Sequence, residues 1–253
     1  AAVALAVSAI PEGLPAAVTI TLAIGVKRMA DVNAIIRKLP AVETLGSTTV
    51  ICSDKTGTLT ENQMTVQKIY AGGDLFEIAG SGYAPEGEIR ADGSPADPAS
   101  SPALWECLRA GLLCNDARLV QQEGRWLGEG DPTEGALLVS AAKAGLQPGT
   151  PDAWSRTDVI PFESERAYMA TLHDPGEGKK PVAYVKGAVE KILEQSGQSL
   201  SRDGSTQDLD RDSVLGNAEA MAVEGLRVLA FARKEFPLQT RAFESSDGIS
   251  GLT

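Results

Sequence analysis

The residues with the clearest chemical capacity stand together in Asp54-Lys55-Thr56-Gly57-Thr58-Leu59-Thr60. A carboxylate followed by an ammonium, hydroxyls and a glycine suits a tight loop that holds a phosphoryl group. The aspartate can act there as a nucleophile, dividing one difficult transfer into two easier steps through an acyl phosphate. Lys55 meets phosphate oxygens as a point charge and Thr56 as a hydroxyl donor. The element that must present the loop is Thr48-Thr49-Val50-Ile51, a β-branched run that reads as a buried strand. Open α/β sheets place their chemistry at the carboxyl ends of such strands.

Four further positions, three charged and one aromatic, stand in defined settings. Glu134 lies in Gly130-Asp131-Pro132-Thr133-Glu134, where Asp131 is a good N-cap, Pro132 fits the first helical position and Glu134 completes an acidic capping box. Lys186 closes the strand Val182–Val185 and is followed by Gly187-Ala188, a small-residue turn that lets a cation approach a flat ligand closely. Phe162 ends the strand 157–162, which pairs with 168–173; by position alone it reads as core. Arg227 sits in the apolar run 226–232, read as a buried strand, where a charge serves either an edge ion pair or a ligand.

The first 26 residues are almost wholly apolar and are followed by Lys27-Arg28. As one helix they would span about 39 Å, enough to cross a bilayer. Pro11-Glu12-Gly13-Leu14-Pro15 interrupts the run, and two prolines four apart free backbone carbonyls. At membrane depth such a break belongs against protein or a polar cavity, and carbonyls beside Glu12 have the parts of a cation site. From residue 30 to 45, apolar side chains at Val32, Ile35, Ile36, Leu39, Val42 and Leu45 predict an amphipathic bridge broken at Pro40. From residue 67 onward, loops rich in glycine and proline mark an insert with its own strands and helices.

Charge and cysteine content narrow the classes. A formal net charge of −11 argues against a nucleic-acid groove. Three scattered cysteines make no disulfide framework, and Cys107 and Cys114 read as core filling on one helix face. No secretory signal is apparent. His173, the single histidine, reads as a satisfied strand residue.

The motif at Asp54–Thr60 resembles the phosphorylation signature of the P-type ion-pumping ATPases, and Pro11–Pro15 resembles the motif in the fourth transmembrane helix of their calcium-pump-like, type II class. The motifs at Gly130–Leu138, Phe162 and Lys186-Gly187-Ala188 are similar to those of the family's nucleotide-binding domain, in family order. The resemblance implies an α/β, haloacid-dehalogenase-like (Rossmannoid) phosphorylation-domain segment with an inserted α+β nucleotide-binding domain, preceded by part of a transmembrane helix. The implied boundaries are 1–28 for the membrane segment, 29–66 for the stalk and start of the phosphorylation domain, 67–240 for the nucleotide-binding domain and 241–253 for the return. The chain then reads as a piece of a longer pump, and the isolated chain is expected to bind ATP without turnover.

By the same resemblance Asp54 is the phosphorylated residue, with Lys55 and Thr56 around it and Mg²⁺ at Asp54 and Thr56. Phe162 stacks on adenine, Glu134 lies near the adenosine, Lys186 and Gly187 line the same pocket, and Arg166 and Arg227 meet phosphates. Glu12 is a ligand of the transported cation, with Ca²⁺ the favoured ion. Implied partners are ATP, the cation, membrane lipid through residues 1–26, and the remaining transmembrane, actuator and phosphorylation-domain parts of the parent. The expected location is the plasma membrane, with the domains that follow in the cytoplasm. One residue departs from the animal reticulum pumps, Ala167 standing where they carry a second basic residue after Arg166. Phosphatases of the wider superfamily carry a second aspartate two residues after the nucleophile; here that position is Thr56, so water is poorly activated and an acyl phosphate should persist. The alternatives are a soluble phosphohydrolase of that superfamily and a non-catalytic nucleotide-binding module.

Overall fold

The computed structural model describes residues 13–146, 154–176, 178–244 and 249–253. The chain forms two compact units, Ala1–Glu61 and Asn62–Thr253.

In the first unit, helix α1 (Gly13–Asp31) is long and apolar enough to cross a membrane by length and composition. Leu14 and Pro15 lie within this helix. Pro11 and Glu12 lie outside the described residues. The amphipathic bridge expected over 30–45 is divided: the first helix ends at Asp31, residues 32–39 hold no helix, and a short helix follows. Helix α1 closes at Asn33, whose φ of 63° is left-handed, while the Asn33 and Ala34 amides donate back to Ala30 and Met29. Pro40 opens α2 (Pro40–Gly46) as a first-turn proline rather than ending a helix.

The strand expected at 48–51 does not form either. Val50 is 76% and Ile51 84% exposed, and no described residue of this unit lies in a strand that might pair with them. An extended run with neither ladder partner nor covering face has nothing to bury against.

The second unit is built on a four-stranded antiparallel sheet, in the order β12-β9-β8-β7, with β7 Ser155–Glu163, β8 Tyr168–Asp174, β9 Val182–Gly187 and β12 Ala230–Glu235. The two central strands are buried along almost their whole length, so both faces are covered. Ala170, Val185 and Ala232 face a core completed by Ile192, Ile249 and Leu252. Met169, Val182 and Tyr184 face the other way, onto Ala110 and Cys114. The opposite-facing alternation is the period of two that strands require. Helix α3 (Pro102–Leu113), capped by Ser101, supplies that second face and turns Leu104 and Leu108 into a separate core. That core lies against a meander of β1 (Lys68–Ala71), β2 (Asp74–Ile78), β3 (Ile89–Ala91) and β4 (Ser94–Pro95).

A hairpin of β5 (Arg118–Gln122) and β6 (Arg125–Glu129) leads into α4 (Pro132–Lys143), which packs beside α3. Beyond β9 come α5 (Val189–Gln195), the small pair β10 (Gln198–Leu200) and β11 (Thr206–Asp208), and α6 (Arg211–Val223). The strand expected over 226–232 begins only at Ala230, because its partner β9 ends at Gly187, opposite Ala230. Arg227 therefore lies in an exposed connector after the left-handed Gly225 rather than in a buried strand.

Candidate functional site

The N-terminus of α4 is the point where the polar positions meet. Asp131 caps it, its Oδ1 accepting from the amides of Thr133 at 2.8 Å and Glu134 at 3.3 Å. Burial acts to raise the Asp131 carboxyl, but these hydrogen bonds and the Arg227 charge hold it below its ordinary range. The cap is as the sequence predicts; the capping box is not. The Glu134 carboxylate points away from the helix end, Oε1 pairing with Lys186 Nζ at 2.5 Å and Oε2 accepting from the Asp116 amide at 3.1 Å. The Lys186 ammonium, delivered from the neighbouring sheet, is a stronger partner than a backbone amide.

One residue earlier on the same helix, the Thr133 hydroxyl accepts from Arg227 Nη1 at 3.4 Å and donates to the Met64 sulfur at 3.4 Å. Two cations, Lys186 and Arg227, are thus attached to successive residues of one helical turn. The two cations stand 41 residues apart in the sequence and reach the turn from different segments.

Sheet register adds the aromatic. Lys186 pairs across with Met169 on β8 and with Phe231 on β12. Between β7 and β8 the register slips, Ile160 facing Ala170 and Glu163 facing Tyr168, so Pro161 and Phe162 together oppose Met169. That two-against-one bulge re-aims a side chain. Phe162 is 59% exposed rather than part of the core, two strands or roughly 10 Å from the β9 backbone at Lys186. Gly187 has a packing reason of its own. A Cβ there would come within 2.5 Å of both the Ala167 carbonyl oxygen and the Tyr168 Cβ. Ala167 takes a left-handed φ of 55° in the β7–β8 turn, and Arg166 in that turn pairs with Glu163 at 2.8 Å.

The structure thus brings Glu134, Lys186 and Arg227 to one helix end and puts Phe162 in the same row of the sheet as Lys186. Sequence reasoning passed over Thr133, Asn115 and Asp116. Thr133 had a usable signal, being a hydroxyl in a helical first turn next to a singled-out glutamate. Asn115 and Asp116 had none, since their bonds to α4 span 19 and 18 residues. A cavity of about 610 Å³ in this unit is lined by Tyr70, Glu106, Ser213 and Arg233. Thr133 and Arg227 also line it, but Phe162, Glu134 and Lys186 do not.

In the first unit Asp54, Lys55 and Thr56 are exposed in a turn in which the Lys55 carbonyl accepts from the amides of Leu59 at 3.0 Å and Thr60 at 3.1 Å. Gly57, with φ of 73°, takes the left-handed conformation that closes it. Glu12 lies outside the described residues. No group of three or more His, Cys, Asp or Glu side chains able to hold a metal ion occurs among the described residues.

The thiols of half-buried Cys107 and buried Cys114 are chemically quiet, withdrawal from water pushing them up to about 12 and about 11. His173 is held neutral by burial, down to about 4, and bonds to the Thr171 hydroxyl at 2.9 Å and the Trp154 carbonyl at 3.4 Å.

The family model for the P-type ATPase cytoplasmic domain N matches residues 103–250. Over its full length the chain is 56% identical to the cation-transporting ATPase pma1 of Synechocystis, spanning 28% of that protein. The probable cation-transporting ATPase F of Mycobacterium tuberculosis is 54% identical over 91% of the chain and 25% of its own length. The calcium-transporting ATPase 4, endoplasmic reticulum-type, of Arabidopsis thaliana is 40% identical over 97% of the chain and 25% of its own length. The chain spans about a quarter of the length of these relatives.

Proposed function

Because the chain belongs to the P-type cation-transporting ATPases, we propose that it serves ATP-driven cation transport, its second unit binding ATP and its first unit receiving the phosphoryl group on Asp54. The observation that carries the nucleotide half is the attachment of Lys186 and Arg227 to Glu134 and Thr133, successive residues at one helix end. Phe162, exposed on its bulge, offers a ring face for the adenine. Lys186 and Glu134 bound the adenosine, Gly187 keeps the strand end narrow, and Arg227 with Arg166 faces the phosphates. Such a set recognises a nucleotide by stacking at one end and charge at the other.

In the transfer step a carboxylate oxygen of Asp54 bonds to the γ-phosphorus in line. The bond from that phosphorus to the β,γ-bridging oxygen breaks, and ADP leaves with the electron pair. Lys55 and the Thr56 hydroxyl steady the equatorial oxygens. Asp54 and Thr56 are exposed in this turn, and their hard oxygens would hold Mg²⁺ together with phosphate and water. When bound, that ion offsets the charge of the transferring group. Thr56 in place of a second carboxylate leaves water unactivated, which favours a persistent acyl phosphate and counts against a phosphohydrolase.

Helix α1 is the membrane element, and Glu12 with nearby carbonyls supplies ligands to the transported cation, Ca²⁺ being the ion that its hard oxygens suit best. The plasma membrane is the proposed location. Calorimetric titration of the chain with ATP tests the nucleotide reading. Phe162→Ala and Lys186→Ala should each weaken binding about ten-fold, in line with the worth of one base stack or one charge-assisted contact. Unchanged affinity in both variants would contradict it.

A further inference from the structure

Asn115 and Asp116 leave the end of α3 with an unusual set of bonds. The Asn115 Nδ2 group donates to the Gly111 carbonyl and to the Glu134 carbonyl, both at 2.9 Å, and its Oδ1 accepts from the Ala117 amide at 2.9 Å. The next amide, that of Asp116, donates to Glu134 Oε2. The Asp116 carboxylate is in turn held by Arg156 at 2.6 Å. One dipeptide therefore grips Glu134 twice, at its backbone and at its carboxylate. The other carboxylate oxygen is left for Lys186.

These bonds are more than helix-end satisfaction. The Gly111 contact alone would finish α3. The contact to Glu134 ties the end of one helix to the first turn of another, and the Asp116 amide fixes which way the carboxylate points. With side-chain exposures of 10% and 15%, the Lys186–Glu134 pair is largely withdrawn from water, so its geometry depends on such partners.

We propose that Asn115 is a positioning residue for nucleotide binding, acting through Glu134 to hold the Lys186 ammonium where the ligand meets it; this rests on the site reading above. Asn115→Asp is the informative change, since it keeps the shape but turns the donor toward two carbonyl oxygens as an acceptor.

The test is a double-mutant cycle on ATP affinity, measured by calorimetry on the full chain in detergent, with Asn115→Asp, Glu134→Gln and the double variant, and Lys186→Ala alongside. Asn115→Asp should weaken ATP about ten-fold in the native background and less than about two-fold once Glu134 is Gln. The same factor in both backgrounds would overturn the positioning role, because damage to the fold at large does not depend on Glu134. So would no effect in either. If Glu134→Gln and Lys186→Ala both leave ATP affinity untouched, the site reading itself fails, a result separable from the first. Should Asn115→Asp not fold, Asn115→Ser keeps one donor; its weakening, about three-fold, should also vanish in the Glu134→Gln background, and persistence there would overturn the proposal.

Discussion

At the scale of single residues, the ion pair of Lys186 with Glu134 illustrates how stability and ligand binding separate. Lys186→Met leaves a largely buried carboxylate with only one backbone donor and should cost on the order of 3 kcal/mol in urea unfolding. Lys186→Met combined with Glu134→Leu should recover most of that loss without restoring ATP affinity, since an apolar pair removes the orphan charge but supplies no cation. His173 gives a pH signature. Its folded value of about 4 lies below the ordinary 6.5, so the native state binds fewer protons than the unfolded one in between. Stability from this group is complete above about pH 6.5 and falls as pH drops toward 4, by about 3 kcal/mol in full. Denaturant midpoints of the native chain and His173→Gln should therefore converge as the pH is lowered over that window. The residue types themselves were readable early: His173 as a satisfied strand histidine and Asp131 as a cap. The direction of the Glu134 side chain was not, because local spacing offers a capping box and only tertiary structure delivers the lysine that outcompetes it.

At the scale of elements, the β7–β8 bulge and the end of β9 decide what the sheet presents. Gly187→Ala would drive a methyl into the Ala167 carbonyl and the Tyr168 side chain, backbone and rigid neighbours that cannot rotate away. A loss of about 1–3 kcal/mol is expected, read as a lowered Tm. Phe162→Ala should behave in the opposite manner, changing stability by no more than about 0.5 kcal/mol because its ring is mostly exposed, while ATP binding weakens. The strands read at 157–162, 168–173 and 182–185 occur at 155–163, 168–174 and 182–187, and the helix announced by Asp131 and Pro132 occurs at 132–143. Two errors share one cause. The runs at 48–51 and 226–229 have strand-like residues, yet neither has a neighbour to complete its hydrogen bonds. A residue run shows its preference for a strand; it does not show whether a partner strand exists beside it.

At the scale of the whole molecule, the order of segments was the most legible property. An apolar helix, the turn that carries Asp54 and the stretch 103–250 that matches cytoplasmic domain N follow one another along the chain. Contacts between elements distant in sequence were not legible. Arg227 reaches a threonine 94 residues away, and Asn115 holds a glutamate 19 residues on. The central claim is phosphoryl transfer from ATP to Asp54, and the most direct measurement is labelling of the full-length protein with ATP radioactive at the γ-position. The account predicts an acid-stable, hydroxylamine-sensitive phosphoenzyme that forms when the transported cation is added, Ca²⁺ first among those tried, and that is abolished by Asp54→Asn while ATP binding survives. Labelling that persists in Asp54→Asn, or none with any cation while ATP still binds, would contradict it.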